Sequence, residues 1–249
     1  MDKIWIRESG NIPLFWHDTL DSTNSEAKRR AAEIPLPAVI VADAQSAGRG
    51  RMGRSFFSPH GTGLYFSYVT DRIAFAEAVG LTAAAAVAAA RAIRAVTGVE
   101  VEIKWVNDLL WNGKKVAGIL CECFAVEGRS LIVVGIGINL ATSEDDFPEE
   151  LRGKAGSLGM QKDVRRRLVQ VLAEELHALL CHLPDRAFME EYRTRSAVLG
   201  RRVRYTQNGV TYEGEAIAID DDGALCVKTD GQTVRLGSGE ISLSYENLQ

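Results

Sequence analysis

Four dipeptides limit what this chain can become: Asn112-Gly113, Asn208-Gly209, Asp222-Gly223 and Asp230-Gly231. An Asn or Asp followed by Gly tolerates positive φ at both centres of a type I′ turn, so each predicts two antiparallel strands joined tightly. Three of the four fall in "GRRVRYTQNGVTYEGEAIAIDDDGALCVKTDGQTVRLGSGEISL", where short strands follow one another. That stretch predicts a small β-barrel of about fifty residues, with a boundary near Ala197. The fourth sits in "LLWNGKKVAGILCECF", and "SLIVVGIGINL" supplies the next buried strand.

Upstream the pattern mixes helix and strand. "DSTNSEAKRRAAEI" predicts a helix from Ser22 or Thr23, with Thr23 and Glu26 at capping-box spacing. "PAVIVADAQ" reads as a buried strand and "GLYFSYVT" as an alternating one, followed by an alanine-rich helix from about Phe75 to Thr97, ended by Gly98. "VEVEIKWV" is another strand, and "ATSEDDFPEELRGKAGSL" an unpatterned surface connection. Helical periodicity returns from Asp163, as a cap, to Leu183 ahead of Pro184, and again from Phe188 to Arg195.

Composition narrows the function classes. With 46% hydrophobic and 25% charged residues the chain can bury a large core, which excludes disorder. The apolar run from Leu81 is interrupted by Arg91 and Arg94, so it predicts a buried helix and not a membrane span. "MDKIWIRESG" lacks the pattern of a signal peptide, and the cytoplasm is the expected setting. A net charge of −4 argues against a general nucleic-acid binder. Cys121, Cys123, Cys181 and Cys226 read as small core or surface residues, and the scattered His17, His60, His177 and His182 predict no zinc site.

Against that acidic background stands "AGRGRMGRSFFSP", residues 47–59, where Gly48, Gly50 and Gly53 alternate with Arg49, Arg51 and Arg54. It is no Walker loop, and a strand follows it where a dinucleotide fold would place a helix. Glycines let backbone N–H groups close over an anion, while guanidinium forks grip carboxylate or phosphate. A solvated surface loop is the competing reading. Downstream, Lys104, Asn107 and Asp108 fall at a strand end and Lys115 on the return strand of the hairpin. A carboxylate among lysines suits Mg²⁺-nucleotide chemistry, although solvated lysines beside a turn look the same.

The motifs "DSTN" (21–24), "QSAGRGRMGR" (45–54), "KWVNDL" (104–109), "KVAGIL" (115–120), "GIGIN" (135–139) and "SGEISL" (238–243) occur in the order found in the biotin protein ligases, which the chain resembles over nearly its whole length. Val106 stands where that family usually has proline. The resemblance implies an α/β (α+β) protein: a mixed-sheet, class II synthetase-like catalytic domain over residues 1–197 and an SH3-like barrel over 198–249. It implies activation of biotin by ATP and Mg²⁺ as biotinyl-5′-adenylate, then transfer to a lysine of a biotin carboxyl carrier protein or domain. By the same resemblance Ser22, Thr23, Asn24, Gln45, Gly48 and Gly50 would hold biotin, and Arg49, Arg51 and Lys115 its carboxylate and the phosphate. Arg54, Phe56, Asn107, Asp108, Lys115 and Asn139 would face ATP or the adenylate, with Asp108 as the Mg²⁺ contact. Trp105, Ile136 and Ile138 are expected in the pocket walls, and Arg201, Arg202 and Arg204 to be solvated or paired with aspartates.

The barrel is either a stabilising appendage or an aid to docking the acceptor or shaping the ATP side. Only about twenty residues precede "DSTN", too few for a helix-turn-helix domain, so no repressor arm, no DNA and no membrane are expected. Monomer and homodimer both remain open. A lipoate- or octanoate-type ligase on the related fold, a non-catalytic adenylate-binding regulator and a nucleic-acid module are the competing classes.

Overall fold

The structure is a computed structural model that describes residues 2–6, 10–126, 128–160, 163–207 and 209–243. Its first layer is an eight-stranded sheet. In chain order the strands are β1 (Asp2–Ile6), β2 (Gly10–Leu20), β3 (Ala38–Gln45), β4 (Gly63–Thr70), β5 (Glu102–Lys104), β6 (Asp108–Trp111), β7 (Lys114–Val126) and β8 (Arg129–Asn139). They lie side by side as β1-β2-β3-β4-β8-β7-β6-β5. Neighbours are antiparallel except β2 and β3, whose parallel pairing requires a crossover. Helix α1 (Thr23–Arg30) supplies it.

The two sheet faces are covered differently. Val39 and Val41 of β3, Phe66 and Tyr68 of β4, and Ile132, Val134, Ile136 and Ile138 of β8 join one core with helices α2 (Leu81–Thr97), α3 (Val164–Cys181) and α4 (Phe188–Thr194). Alanine at most buried positions of α2 removes side-chain bulk and lets that helix lie close on the sheet. On the opposite face α1 covers only part, through Ala27, Ala31, Ile40, Val69 and Val133. The rest of that face is where the cleft opens.

Several expectations shift. Phe75–Glu77 forms its own short 3₁₀ turn and Gly80 sits at φ 82°, so α2 begins at Leu81 and not near Phe75. Strand β4 is buried at every position because both faces are covered, which erases the alternation anticipated for it. Asp163 makes no side-chain cap for α3. The first two strands carried no recognised signal, since "NIPLFWHDTL" in β2 mixes apolar and polar residues without strict alternation.

The C-terminal region is a five-stranded antiparallel sheet of β9 (Arg202–Gln207), β10 (Val210–Ile219), β11 (Leu225–Thr229), β12 (Gln232–Leu236) and β13 (Ile241–Leu243), ordered β12-β11-β10-β9-β13. No pairing closes it between β12 and β13 among the described residues. Asn112-Gly113 and Asp230-Gly231 have positive φ at both residues and make two-residue turns. At Asp222-Gly223 only the glycine has positive φ, and the connection lengthens to 220–224 around the Asp220 carboxylate, which accepts from the Asp222 and Ala224 N–H groups. Asn208, in the remaining turn, lies outside the described residues.

This sheet packs against the first layer. The Trp105 indole donates to the Gly223 carbonyl at 2.8 Å, and Arg193 Nε to that of Ile219 at 2.7 Å. Just before it, Ile103 N donates to Arg195 O and Ala197 N to Ile103 O. Arg201, Arg202 and Arg204 are each more than half exposed, in keeping with the solvated alternative, and the acidic groups near them are glutamates and not aspartates: Glu213 for Arg202 and Arg204, and Glu102 at 3.8 Å from Arg201. No described helix is long and apolar enough to cross a membrane.

Candidate functional site

On the uncovered face, β7 and β8 present Gly118, Gly135 and Gly137 where neighbouring strands carry larger side chains. A cleft of about 680 Å³ lies over them. A methyl group at Gly135 would come within 2.1 Å of Asn24 Oδ1, and one at Gly137 within 2.5 Å of the Phe56 ring, so these glycines are required by what lies above them.

At one end sits the start of α1. Ser22, Thr23 and Asn24 are almost fully buried. The anticipated capping box does not form: Gln45 Oε1 accepts the Thr23 N–H at 2.8 Å, and the Glu26 carboxylate turns to Arg29. Gln45 Nε2 in turn donates to Ser58 Oγ, and Ser67 Oγ lies 2.8 Å from Thr23 Oγ1 and 2.6 Å from Asn24 Oδ1. Polar groups this deeply buried need partners, and the chain of contacts fixes their orientation around the cavity.

The Gly/Arg loop forms the lip. Gly48 O accepts from Phe56 N and Gly50 N donates to Arg54 O, which makes a narrow hairpin, with Met52 at its tip (φ 55°) 74% exposed. A Cβ at Gly48 would meet Phe56 O at 2.4 Å, so the hairpin closes only on glycine. Each arginine reaches a different part of the fold. Arg49 meets Glu122, Arg51 Nη1 lies 3.2 Å from Asn107 Oδ1 and 3.4 Å from Gly239 O, and Arg54 pairs with Glu240 at 2.5 Å. Burial alone would raise the Glu122 carboxyl, but hydrogen bonds from Lys28 and Asn24 and the nearby cations hold it below the ordinary carboxylate range.

At the other end the β6–β7 hairpin places Lys115 Nζ 2.6 Å from Asp108 Oδ1 and 6.0 Å from the centre of the Phe56 ring. Asp108 Oδ1 is buried and has this ion pair but no further hydrogen-bond partner, which leaves the carboxylate capacity for another cation. An acceptor of this kind, facing an open cleft, fits a hard cation that also binds phosphate oxygens. Asn107 Nδ2 donates to Ile119 O, and residues 154–156 pair with Lys115 to form the wall.

The structure therefore gathers Ser22, Thr23, Asn24, Gln45, Arg49, Gly50, Arg51, Arg54, Phe56, Asn107, Asp108 and Lys115 around one cavity. Gly48 and Asn139 are not among the residues that line it, and Asn139 Nδ2 donates to Gly156 O at 2.9 Å. Ile136 lines the cavity and Ile138 belongs to the core beneath. Glu122, Ser58 and Ser67 lie outside the six motifs that carry the family resemblance, and Gly118, Gly135 and Gly137 lie within them without an expected role. Gly135 and Gly137 did carry a signal, two glycines at strand spacing in one buried strand.

The sequence profile of the Biotin/lipoate A/B protein ligase family matches residues 16–139, and that of the Biotin protein ligase C terminal domain matches residues 198–244. The chain is 35% identical to the Bifunctional ligase/repressor BirA of Bacillus spizizenii, over 92% of this chain and 74% of that protein. It is 34% identical to the Biotin--[acetyl-CoA-carboxylase] ligase of Mycobacterium tuberculosis, over 88% of this chain and 85% of that one. Its fold superposes on the Aquifex aeolicus biotin protein ligase in complex with biotin and ATP with a TM-score of 0.76 at 27% identity, over 93% and 98% of the two chains.

Proposed function

The chain belongs to the biotin protein ligase family, and on that premise we propose that it activates biotin with ATP and passes the biotinyl group to a lysine of a biotin carboxyl carrier domain. The observation that carries this is the continuity of the cleft: a buried polar pocket at Ser22, Thr23, Asn24 and Gln45 runs without interruption into a cationic end at Arg51 and Lys115. A neutral hydrogen-bonding head and an anionic tail belonging to one ligand fit that gradient.

In the first step the biotin carboxylate attacks the α-phosphorus of ATP, and pyrophosphate leaves. Two anions must approach, so catalysis consists of positioning and charge compensation. The Ser22–Gln45 pocket and the Gly48–Gly50 backbone fix the ureido head; Arg51 and Lys115 compensate charge on the phosphate. Phe56 and Asn139 belong to the adenine side, with Asn107 and Arg54 at the nucleotide. Asp108 would hold Mg²⁺, which would supply further charge compensation. In the second step the acceptor amine attacks the anhydride carbonyl and AMP leaves.

The large sheet with its helices is read as the class II synthetase-like catalytic domain, residues 1–197, and the five-stranded sheet as an SH3-like barrel, residues 198–249. A cytoplasmic monomer or homodimer is the setting this reading assumes. Intact mass after incubation with biotin and MgATP tests it: retained biotinyl-adenylate and biotin-dependent pyrophosphate release are expected. Equal turnover with lipoate would transfer the assignment to the lipoate-type ligases, and retained adenylate without transfer to a carrier domain would point to a regulator.

A further inference from the structure

What keeps the Gly/Arg loop over the cleft is a separate question from what the cleft binds. Arg49 meets Glu122 side by side, with Nη2 3.1 Å from Oε1 and Nη1 3.3 Å from Oε2. The same carboxylate receives Lys28 Nζ at 2.7 Å and Asn24 Nδ2 at 3.0 Å. Asn24 Nδ2 also reaches Leu120 O, and its Oδ1 lies against Ser67 Oγ over Gly135. One β7 side chain thus joins α1, the buried polar pocket and the base of the loop. Its side chain is only 16% exposed, so the contact is shielded on the Glu122 side, whereas Arg49 is 44% exposed.

We propose that Glu122 is a positioning residue that clasps Arg49 to hold the loop closed, so that the Arg49 guanidinium anchors the lip while Arg51 and Lys115 face the ligand phosphate. This rests on the reading of the cleft as the biotinyl-adenylate site, and it replaces the direct phosphate or carboxylate contact that family resemblance assigns to Arg49. A guanidinium whose fork is filled by both oxygens of one carboxylate has no bidentate face left for a second anion on that edge. The clasp therefore governs how long the ligand stays and leaves the rate of its chemistry nearly untouched.

The test uses the full chain and the variants Glu122→Gln and Arg49→Gln. In ligand-free protein, amide exchange across residues 47–57 is expected to accelerate in both. Biotinyl-adenylate dissociation, followed by stopped flow, is expected to accelerate about three- to tenfold, the size of a partly exposed charge-assisted contact. The double variant should dissociate no faster than Arg49→Gln alone, whereas independent roles would multiply. Single-turnover pyrophosphate release by Glu122→Gln at saturating biotin and MgATP should stay within about twofold of the native chain, since an anchor acts before the transition state. Unchanged exchange and dissociation, multiplicative effects, or a tenfold loss of single-turnover rate would each overturn the clasp. If Glu122→Gln fails to fold, Arg49→Gln carries the exchange and dissociation arms. Failure of the native chain to retain adenylate would sink the reading of the cleft, while the ligand-free exchange arm still decides the clasp.

Discussion

Lys115 shares its charge with Asp108 in the ligand-free cleft, and a phosphate would give the ammonium a second partner where charge develops. Lys115→Ala should therefore slow single-turnover pyrophosphate release by about 10² to 10³ while biotin affinity changes little; equal losses in both would make Lys115 a binding group only. Gly135→Ala drives a methyl into Asn24, and overpacking of this kind costs about 1–3 kcal/mol. Urea melts should register that loss, and calorimetry a matching fall in biotin affinity, because Asn24 cannot yield without releasing Glu122. Asp21 gives a pH signature. Hydrogen bonding to Arg29, opposed by slight burial and helped by the Ser22 N–H, lowers its carboxyl to about 2. Its stabilisation is complete above the ordinary aspartate range and is lost as pH falls through about 2, so melts of the native chain and Asp21→Asn should differ at pH 6 and converge as pH falls below about 2. Residues of this kind were unevenly legible. Lys115, Arg51 and Asp108 stand in motifs whose charge is unusual for their surroundings, whereas Glu122 is one more polar residue in an alternating strand until folding brings Asn24, Lys28 and Arg49 to it.

Elements show the same division for a different reason. Turn chemistry is local, so the hairpins at Asn112-Gly113 and Asp230-Gly231 could be read directly. Where tertiary burial decides, local pattern misleads: β4 loses its alternation under two covered faces, and the N-terminal strands exist because β3 offers them an edge. The turn between β5 and β6 depends on distant elements in this way. The Tyr192 hydroxyl of α4 donates to the Val106 carbonyl at 3.0 Å, and Trp105 is held by Gly223. Tyr192→Phe should cost about 0.5–1.5 kcal/mol in a denaturant melt. Because Asn107 and Asp108 follow directly, it should also slow adenylate formation several-fold in a single-turnover assay and leave biotin binding intact; an unchanged rate would confine Tyr192 to packing.

Across the whole molecule one hydrophobic core runs from the alanine helix through Trp105 into Val203, Tyr205 and Leu225 of the C-terminal sheet. That sheet also supplies Glu240 and the Gly239 carbonyl to the loop arginines. Deleting Leu199–Gln249 should leave a folded, biotin-binding sheet with a lowered melting temperature and a severe loss of pyrophosphate release; full activity in the truncated chain would reduce the second sheet to an appendage. The larger sheet meanwhile keeps its two faces for different tasks, one sealed under helices and one bare at Gly118, Gly135 and Gly137. A surface made of glycine can be altered by mutation in one direction only, since every substitution adds atoms. Descendants of this sequence can make the cavity shallower at those positions but never deeper. Any change towards a bulkier ligand must come through the walls, at Phe56, Leu110 or the 151–155 segment, where there are side chains to remove.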